Sequence, residues 1–381
     1  MINAERPIYL DCAASTPVHP DVRDALVRSL DPTIGNASST DHIFGLNAAK
    51  LIQDAREKVA CAAGARTEAV VFTSGATEAN NLSIFGLVHY GKQTGKQHII
   101  STQIEHKAVL EPLAQLSKNG FEVEFVQPST TGLIDPKEIS YRLRRDTLLV
   151  SVMHVNNETG VIQPIPEISA ALEGHDAYLH VDAAQGFLKE PSIYRNNRID
   201  FLTVSAHKIF GPQGVGALIG MSGTRRMRPL SPIIVGGGQE RALRAGTQPV
   251  ALIAGFGVAV ETLQNEASQW NAHCRKIQTT LINQINALGG KINGDMKHLL
   301  PNILNFQLPN IDADAFLLAN KNNLLAARGS ACTSRTKDTS HVLNAMGLKP
   351  EETERCLRFS WSHMTPRIDK HFLKDALSNL R

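Results

Sequence analysis

The run Phe201-Leu202-Thr203-Val204-Ser205-Ala206-His207-Lys208 decides how the rest of the chain is read. Its first half is apolar without alternation, as in a strand buried on both faces. Its second half turns polar and leads into Gly211-Pro212-Gln213-Gly214. Lys208 therefore stands at the mouth of a buried strand. A solvent-facing lysine is the ordinary outcome there, because lysine is rarely buried. Upstream, Ala177-Tyr178-Leu179-His180-Val181 is a second apolar run, and it ends in Asp182.

Working outward, the same kind of strand alternates with helices. Strands are expected at Val70–Phe72, His98–Ile100, Phe121–Val126, Leu148–Met153 and Tyr178–Asp182, then from Phe201 and from Val215. Helices are expected at Ala76–Val88, His106–Leu116, Pro136–Leu143 and Ile165–Leu172. Ahead of them, Ile8–Asp11 reads as a short strand. Pro20 opens a helix, and an apolar stripe from Phe44 to Val59 ends at Gly64. Alternation with unpatterned strands implies a mostly parallel sheet covered on both faces, an α/β fold. Ligands of such sheets sit beyond the carboxyl ends of the strands. Asp182, Lys208, Thr73-Ser74-Gly75 and Asn156-Asn157 all fall at such ends.

Beyond about residue 250 the pattern changes. A long helix over Val250–Leu288, broken once, leads into shorter elements. These are strands near Ile303–Phe306, Leu324-Leu325 and Cys356–Phe359, and helices near Ala313–Ala319 and Ser340–Met346. A last helix is expected from Pro366. We place a large unit at 16–258 and a smaller α+β unit at 1–15 with 259–381, with the active site between them.

The 381 residues carry a net charge of +3, too mild to argue for nucleic acid or a membrane surface. No segment resembles a signal peptide or a membrane span. The five cysteines, Cys12, Cys61, Cys274, Cys332 and Cys356, include no Cys-x-x-Cys pair. A disulfide framework or a metal site is therefore not expected, and a cytoplasmic protein with free thiols is. Gly91-Lys92-Gln93-Thr94-Gly95-Lys96 has one spacer too few for a P-loop, and Gln97 stands where a hydroxyl residue belongs.

Lysine for an aldehyde and aspartate for a pyridine nitrogen are the two groups a pyridoxal 5'-phosphate (PLP) site needs most. Lys208 and Asp182 are placed to supply them. Thr73-Ser74-Gly75-Ala76-Thr77 joins a strand to a helix N-terminus, where free N–H groups and the Thr77 hydroxyl suit a phosphate. An ordinary helix cap looks similar. Ser205 and His207 on a neighbouring strand end favour the phosphate reading. His106 opens a helix, where it caps it or faces the site as a proton carrier. Cys332 lies in the small, polar run Gly329-Ser330-Ala331-Cys332-Thr333-Ser334, as an incidental thiol or as a nucleophile on a loop.

Several stretches together resemble the cysteine desulfurases. They are Phe72-Thr73-Ser74-Gly75-Ala76-Thr77-Glu78, Glu105-His106-Lys107-Ala108-Val109 and His154-Val155-Asn156-Asn157-Glu158. With them stand His180-Val181-Asp182-Ala183-Ala184-Gln185, His207-Lys208, Arg244-Ala245-Gly246-Thr247, the cysteine run, and Leu357-Arg358-Phe359-Ser360. The cysteine run is similar to that of the branch with the longer catalytic loop. The resemblance implies PLP fold type I, with a mostly parallel seven-stranded sheet. Lys208 would hold PLP as a Schiff base and His106 would stack on its ring. Asp182 would pair with the ring nitrogen and Gln185 with the ring hydroxyl. Ala76, Thr77, Ser205 and His207 would hold the phosphate, and Thr247 would reach the phosphate of a partner subunit, which implies a homodimer. Asn157, beside the cofactor, and Arg358 would hold the carboxylate of L-cysteine. Cys332 would take the sulfur as a persulfide, leaving L-alanine, and pass it to an acceptor protein. Iron–sulfur assembly, tRNA thiolation and sulfur modification of DNA are the destinations open to it.

Two stretches depart from the family pattern. Arg335-Thr336-Lys337-Asp338 replaces small residues after the cysteine, and Ser360-Trp361-Ser362-His363 stands where an arginine is usual. The chain also stops at Arg381 without the longer tail of members that serve iron–sulfur scaffolds. A selenocysteine lyase, an aminotransferase on the same fold, or a non-catalytic PLP-binding regulator are the competing readings. An aminotransferase has no use for Cys332.

Overall fold

The computed structural model describes residues 7–194, 196, 198–221, 229–329 and 339–380. At its centre is a seven-stranded sheet. The strands are β2 (Val70–Thr73), β3 (His98–Thr102), β4 (Glu122–Val126), β5 (Thr147–Met153), β6 (Tyr178–Asp182), β7 (Phe201–Ser205) and β8 (Gly216–Gly220), in the order β2-β8-β7-β6-β5-β3-β4. Strands β7, β6, β5, β3 and β4 are parallel, and β8 runs antiparallel to both its neighbours. β2, β3, β5, β6, β7 and β8 are buried along their whole length. That burial is why these strands carry no polar alternation.

The helices keep the expected places with small differences at their ends. α1 (Pro20–Arg28) and α2 (Ile43–Ala63) precede the sheet, and Gly64 closes α2 in the left-handed region at φ 69°. The helix expected over Ala76–Val88 is two, α3 (Ala76–Phe85) and α4 (Val88–Thr94). The break falls at Gly86, where a β-carbon would lie 2.3 Å from the Leu82 carbonyl oxygen. α4 also absorbs most of the false P-loop. α5 (Lys107–Lys118), α6 (Pro136–Arg142) and α7 (Ile165–Ala171) follow. The long helix Val250–Ala287 is unbroken over 38 residues and packs on α1 and α2. The last helix begins at Phe372 rather than Pro366.

Two small sheets complete the architecture. Strand β1 (Ile8–Tyr9) pairs in parallel with β11 (Leu324–Leu325). β12 (Cys356–Ser360), β10 (Ile303–Gln307) and β9 (Lys291–Ile292) form an antiparallel three-stranded sheet. Asp11 bridges to Ser360, and Ala327 to Arg358. The N-terminal segment is thus tied to the strand that carries Arg358.

One buried ion pair fixes the segment leading to Thr247. Arg56 on α2 grips Glu240 through two 2.7 Å bonds, and the Phe72 N–H donates to the same carboxylate at 2.9 Å. The guanidinium also donates to the Val70 carbonyl and sits 4.7 Å above the Phe72 ring. Glu240, Arg241 and Ala242 all have positive φ, a strained run that these bonds hold in place. Arg56→Met keeps the volume but strands a buried carboxylate, at a cost of about 3–5 kcal/mol. It should lower the thermal midpoint by several degrees in a calorimetric scan; an unchanged midpoint would contradict this role.

Candidate active site

Sheet direction sets where the site lies. Thr73, Asp182 and Ser205 end their strands on one edge, and antiparallel β8 begins there at Gly216. A β-carbon on Gly216 would lie 2.6 Å from the Val204 carbonyl oxygen and 2.8 Å from the Gly75 α-carbon. Only glycine lets the Ser74–Thr77 turn settle on that edge. Gly75 leads into α3 with no side-chain cap, so the first N–H groups of that ten-residue helix remain open to an anion.

A cavity of about 430 Å³ opens at this edge. Ala76, Thr77, His106, Asn157, Asp182, Gln185, Ser205, His207, Lys208 and Arg358 all line it. Thr247 does not; it is exposed on this chain. Cys332 and the departure at Arg335–Asp338 lie outside the described residues. Trp361 is fully buried, its indole donating to the Cys274 carbonyl, and His363 is turned away from the cavity lining.

The Lys208 amine donates to the carbonyl oxygens of Ala13 at 2.5 Å and Ala14 at 2.9 Å. Burial lowers its pKa to about 7, and the positive charges of Arg358 and Lys189 push the same way. The turn that carries it is pinned to the N-terminal segment. The His207 carbonyl accepts from the Thr16 N–H and hydroxyl, and the Phe210 N–H donates to Thr16 Oγ1 at 2.8 Å. Phe210 sits at φ 65°, a left-handed conformation that a bulky residue adopts only when held.

Asp182 is oriented from two sides. Asn80 on α3 donates to one oxygen at 2.7 Å and the Ala184 N–H to the other at 3.0 Å. Two residues back, His180 bridges Ser151 at 2.8 Å and Thr203 at 3.0 Å, and burial keeps it neutral with a pKa near 4. His106 caps α5 by accepting from the Ala108 N–H at 3.1 Å, and burial lowers its pKa. Its neighbour Glu105 is fully buried. The Thr102 hydroxyl and the Met153 N–H donate to its carboxyl, which joins the ends of β3 and β5. Burial raises that carboxyl to about 8, so it is protonated near neutral pH.

Arg358 is 1% exposed and already engaged. One nitrogen donates to Asp11 Oδ1 at 2.6 Å, another to the Asn157 carbonyl at 3.1 Å, and its buried Nε has no partner among the described residues. The expected fork toward a carboxylate is therefore shared with Asp11. Ser205 Oγ and Gln185 Oε1 are likewise buried at the cavity without a partner among the described residues. Unpaired buried polar atoms are costly, and here they face a space that a polar ligand would fill. With Asp182, the uncapped helix and Lys208, this donor set fits PLP.

Sequence reasoning missed Asn80, Glu105, Gly216, Asp11 and the Ala13–Thr16 segment. Glu105 stands inside a quoted motif and Asp11 ends an expected strand, and a polar residue flanked by buried strand ends was the available signal. Asn80 carried no signal short of the helical spacing that puts it one turn beyond Thr77.

A family model of class V aminotransferases matches residues 8–368. The chain is 38% identical over 379 residues to a cysteine desulfurase IscS of Neisseria meningitidis serogroup C, spanning 99% of this chain and 93% of that one. The solved structure of DndA from Streptomyces lividans superposes with a TM-score of 0.79 at 42% identity, covering 93% of this chain and 99% of that one. SspA, solved in complex with cysteine, gives 0.82 at 37% identity, over 94% and 100%.

In protein freed of cofactor, the Lys208 amine should be protonated and unreactive below pH 7 and free above it. Its reductive methylation with formaldehyde and cyanoborohydride, followed by peptide mass, should reach half its plateau near pH 7. A half-point near that of an ordinary lysine, about 10.4, would contradict the assigned environment.

Proposed function

The chain belongs to the class V aminotransferase family and within it to the cysteine desulfurases, and from that premise we propose how its own residues perform the reaction. It is a cysteine desulfurase, an enzyme of a PLP-dependent family. The observation that carries the assignment is the convergence of Lys208, Asp182, His106 and Arg358 on one cavity whose buried Ser205 and Gln185 atoms lack partners among the described residues.

PLP would be held by Lys208 at its aldehyde, Asp182 at its ring nitrogen and Gln185 at its ring hydroxyl, with His106 against the ring. Ala76 and Thr77 at the helix N-terminus, with Ser205 and His207, would take the phosphate. Bound there, PLP supplies an electron sink for the pair released at the substrate α-carbon. Arg358 and Asn157 bind the carboxylate of L-cysteine, with Arg358 giving up Asp11 for the substrate. The Lys208 amine takes the α-proton, and its lowered pKa keeps it a competent base near neutral pH. The Cys332 thiolate attacks the substrate sulfur. An S–S bond forms as the C–S bond breaks, and the electron pair stays with the carbon, which gains protons to become L-alanine. L-cysteine and a thiol thus become L-alanine and a persulfide.

The residues on either side of Cys332 support its part. Ala327 bridges to Arg358, and beyond the cysteine Ser340 donates to Glu158 at 2.5 Å while His341 meets the Glu105 carbonyl at 2.9 Å. Both flanks are therefore anchored beside the cavity. Three of the other four thiols are poor nucleophile candidates, because Cys12, Cys274 and Cys356 are buried and burial raises each pKa; Cys61 is exposed, but it sits on α2 and does not line the cavity.

The enzyme acts as a homodimer in which Thr247 reaches the partner's phosphate. Arg244 pairs with Glu78 at 2.9 Å and sets the strap that carries Thr247, and the neighbouring Ile233, Ile234 and Val235 are exposed apolar residues. The persulfide passes to an acceptor protein, and the charged run Arg335–Asp338 after Cys332 supports a dedicated one. Among the described residues no helix is long and apolar enough to cross a membrane.

Cys332→Ser tests the assignment. The variant should bind cofactor and cysteine but release no L-alanine in a single-turnover mix, because a hydroxyl cannot accept the sulfur. Near-normal alanine release, or a persulfide on Cys61 by mass, would remove Cys332 from the mechanism.

A further inference from the structure

Behind the lysine, three side chains that the desulfurase reaction does not use meet one another. His19 precedes α1, Glu266 lies on the long helix, and His363 follows β12. His19 Nε2 is 3.6 Å from one Glu266 oxygen and His363 Nε2 is 3.2 Å from the other. One ligand atom from each of the three falls within 4.8 Å of the others. None of them lines the cofactor cavity. We propose that His19, Glu266 and His363 form a binding site for a borderline divalent transition metal such as zinc.

The spacing suits such an ion. Zinc binds imidazole nitrogen and carboxylate oxygen at about 2.0–2.2 Å, which puts tetrahedral ligands roughly 3.4 Å apart. The two separations to Glu266 bracket that value, each to a different carboxylate oxygen, and the three ligand atoms lie within 4.8 Å of one another, so a bound ion would draw the set closer together. Two imidazoles and one carboxylate exclude magnesium and calcium, which want oxygen, and leave positions open for water.

The frame around the three is already built. The His363 ring stands edge-on to Phe210, with centroids 4.8 Å apart, and roughly stacks with His19 at 6.4 Å. The turn bearing His363 is closed by bonds between Ser362 and Thr365, and the Thr365 carbonyl meets His273 Nε2 at 2.9 Å. The His363 Nδ1 is buried with no partner among the described residues, and the Glu266 oxygen 3.2 Å from Nε2 favours a proton there, so a metal on Nε2 would move that proton to Nδ1. Burial lowers the His363 pKa, which favours the neutral, ligating ring.

His19 needs one adjustment. Its Nδ1 now accepts from the Asp21 N–H at 3.2 Å, and the Asp21 carboxylate lies 3.8 Å away. A metal on Nε2 puts the proton on Nδ1, which then turns to that carboxylate. The result is the carboxylate–histidine–metal relay common around bound ions. The His19 N–H donates to the Phe210 carbonyl at 3.0 Å, two residues past Lys208. A metal here would clamp α1, the long helix and the turn after β12 behind the lysine. The three residues lie far apart in the chain, which is why no ligand spacing announces them.

The test uses the PLP-loaded enzyme, cleared of adventitious metal and titrated with cobalt(II) as the probe. One equivalent per chain should bind, giving visible ligand-field bands without thiolate charge transfer, and zinc should displace it. His363→Ala should weaken binding by more than the roughly 10- to 100-fold that follows loss of an outer partner. His19→Ala and Glu266→Gln should do the same and keep the test valid if the first variant folds poorly. His298→Ala, altering a histidine that faces Asp295 elsewhere, should bind like the wild type. No stoichiometric uptake, thiolate charge transfer in the bands, or unchanged affinity in the cluster variants would overturn the proposal.

Discussion

Two carbonyl oxygens, those of Ala13 and Ala14, hold the Lys208 amine. That contact joins the N-terminal segment to the end of the central sheet. The same segment passes Asp11 to Arg358 and Thr16 to the turn after Lys208. A buried amine would otherwise be an unpaired charge, which a protein interior tolerates poorly. Carbonyl oxygens stabilise it without a full counter-charge. Burial and the neighbouring Arg358 and Lys189 then depress its pKa to about 7, leaving an amine that gives up its proton near neutral pH. The lysine, the Asp182 carboxylate and the Arg358 guanidinium are separate in the chain, and they meet at the cavity on the sheet edge.

The sheet's parallel core and its chemistry were legible in the sequence for one reason. A strand buried on both faces must be apolar, so a polar residue at its end stands out. Asp182 and Lys208 were read that way, and both line the cavity. Strand direction was less visible. Nothing in Gly216–Gly220 says that it runs antiparallel, but only ten residues, Ala206–Val215, separate it from β7. A parallel crossover needs a dozen or more, so the short link was the missed signal. The partners that orient the site were harder to see. Asn80 reaches Asp182 from a helix, and Asp11 reaches Arg358 from the N-terminal segment. Such pairings depend on packing between elements, which periodicity does not encode.

Among the described residues, four of the six non-glycine residues at positive φ lie beside the lysine or before Thr247; Leu188 and Asn310 are the other two. Phe210 follows the lysine, and Glu240 to Ala242 precede the strap that bears Thr247. Each is held by bonds from another element, Thr16 in the first case and Arg56 in the second. His19, Glu266 and His363 sit behind the same Phe210 turn. The departure from the family pattern at His363 therefore faces a cluster of its own rather than the substrate cavity.

The central claim is that Lys208 is the amine the cavity was built around. Borohydride treatment of the PLP-loaded enzyme, followed by proteolysis and peptide mass mapping, tests it directly. The account predicts a single pyridoxyl adduct on Lys208 and loss of the visible absorption. An adduct on the buried Lys189, or on any other lysine outside the cavity, would contradict it.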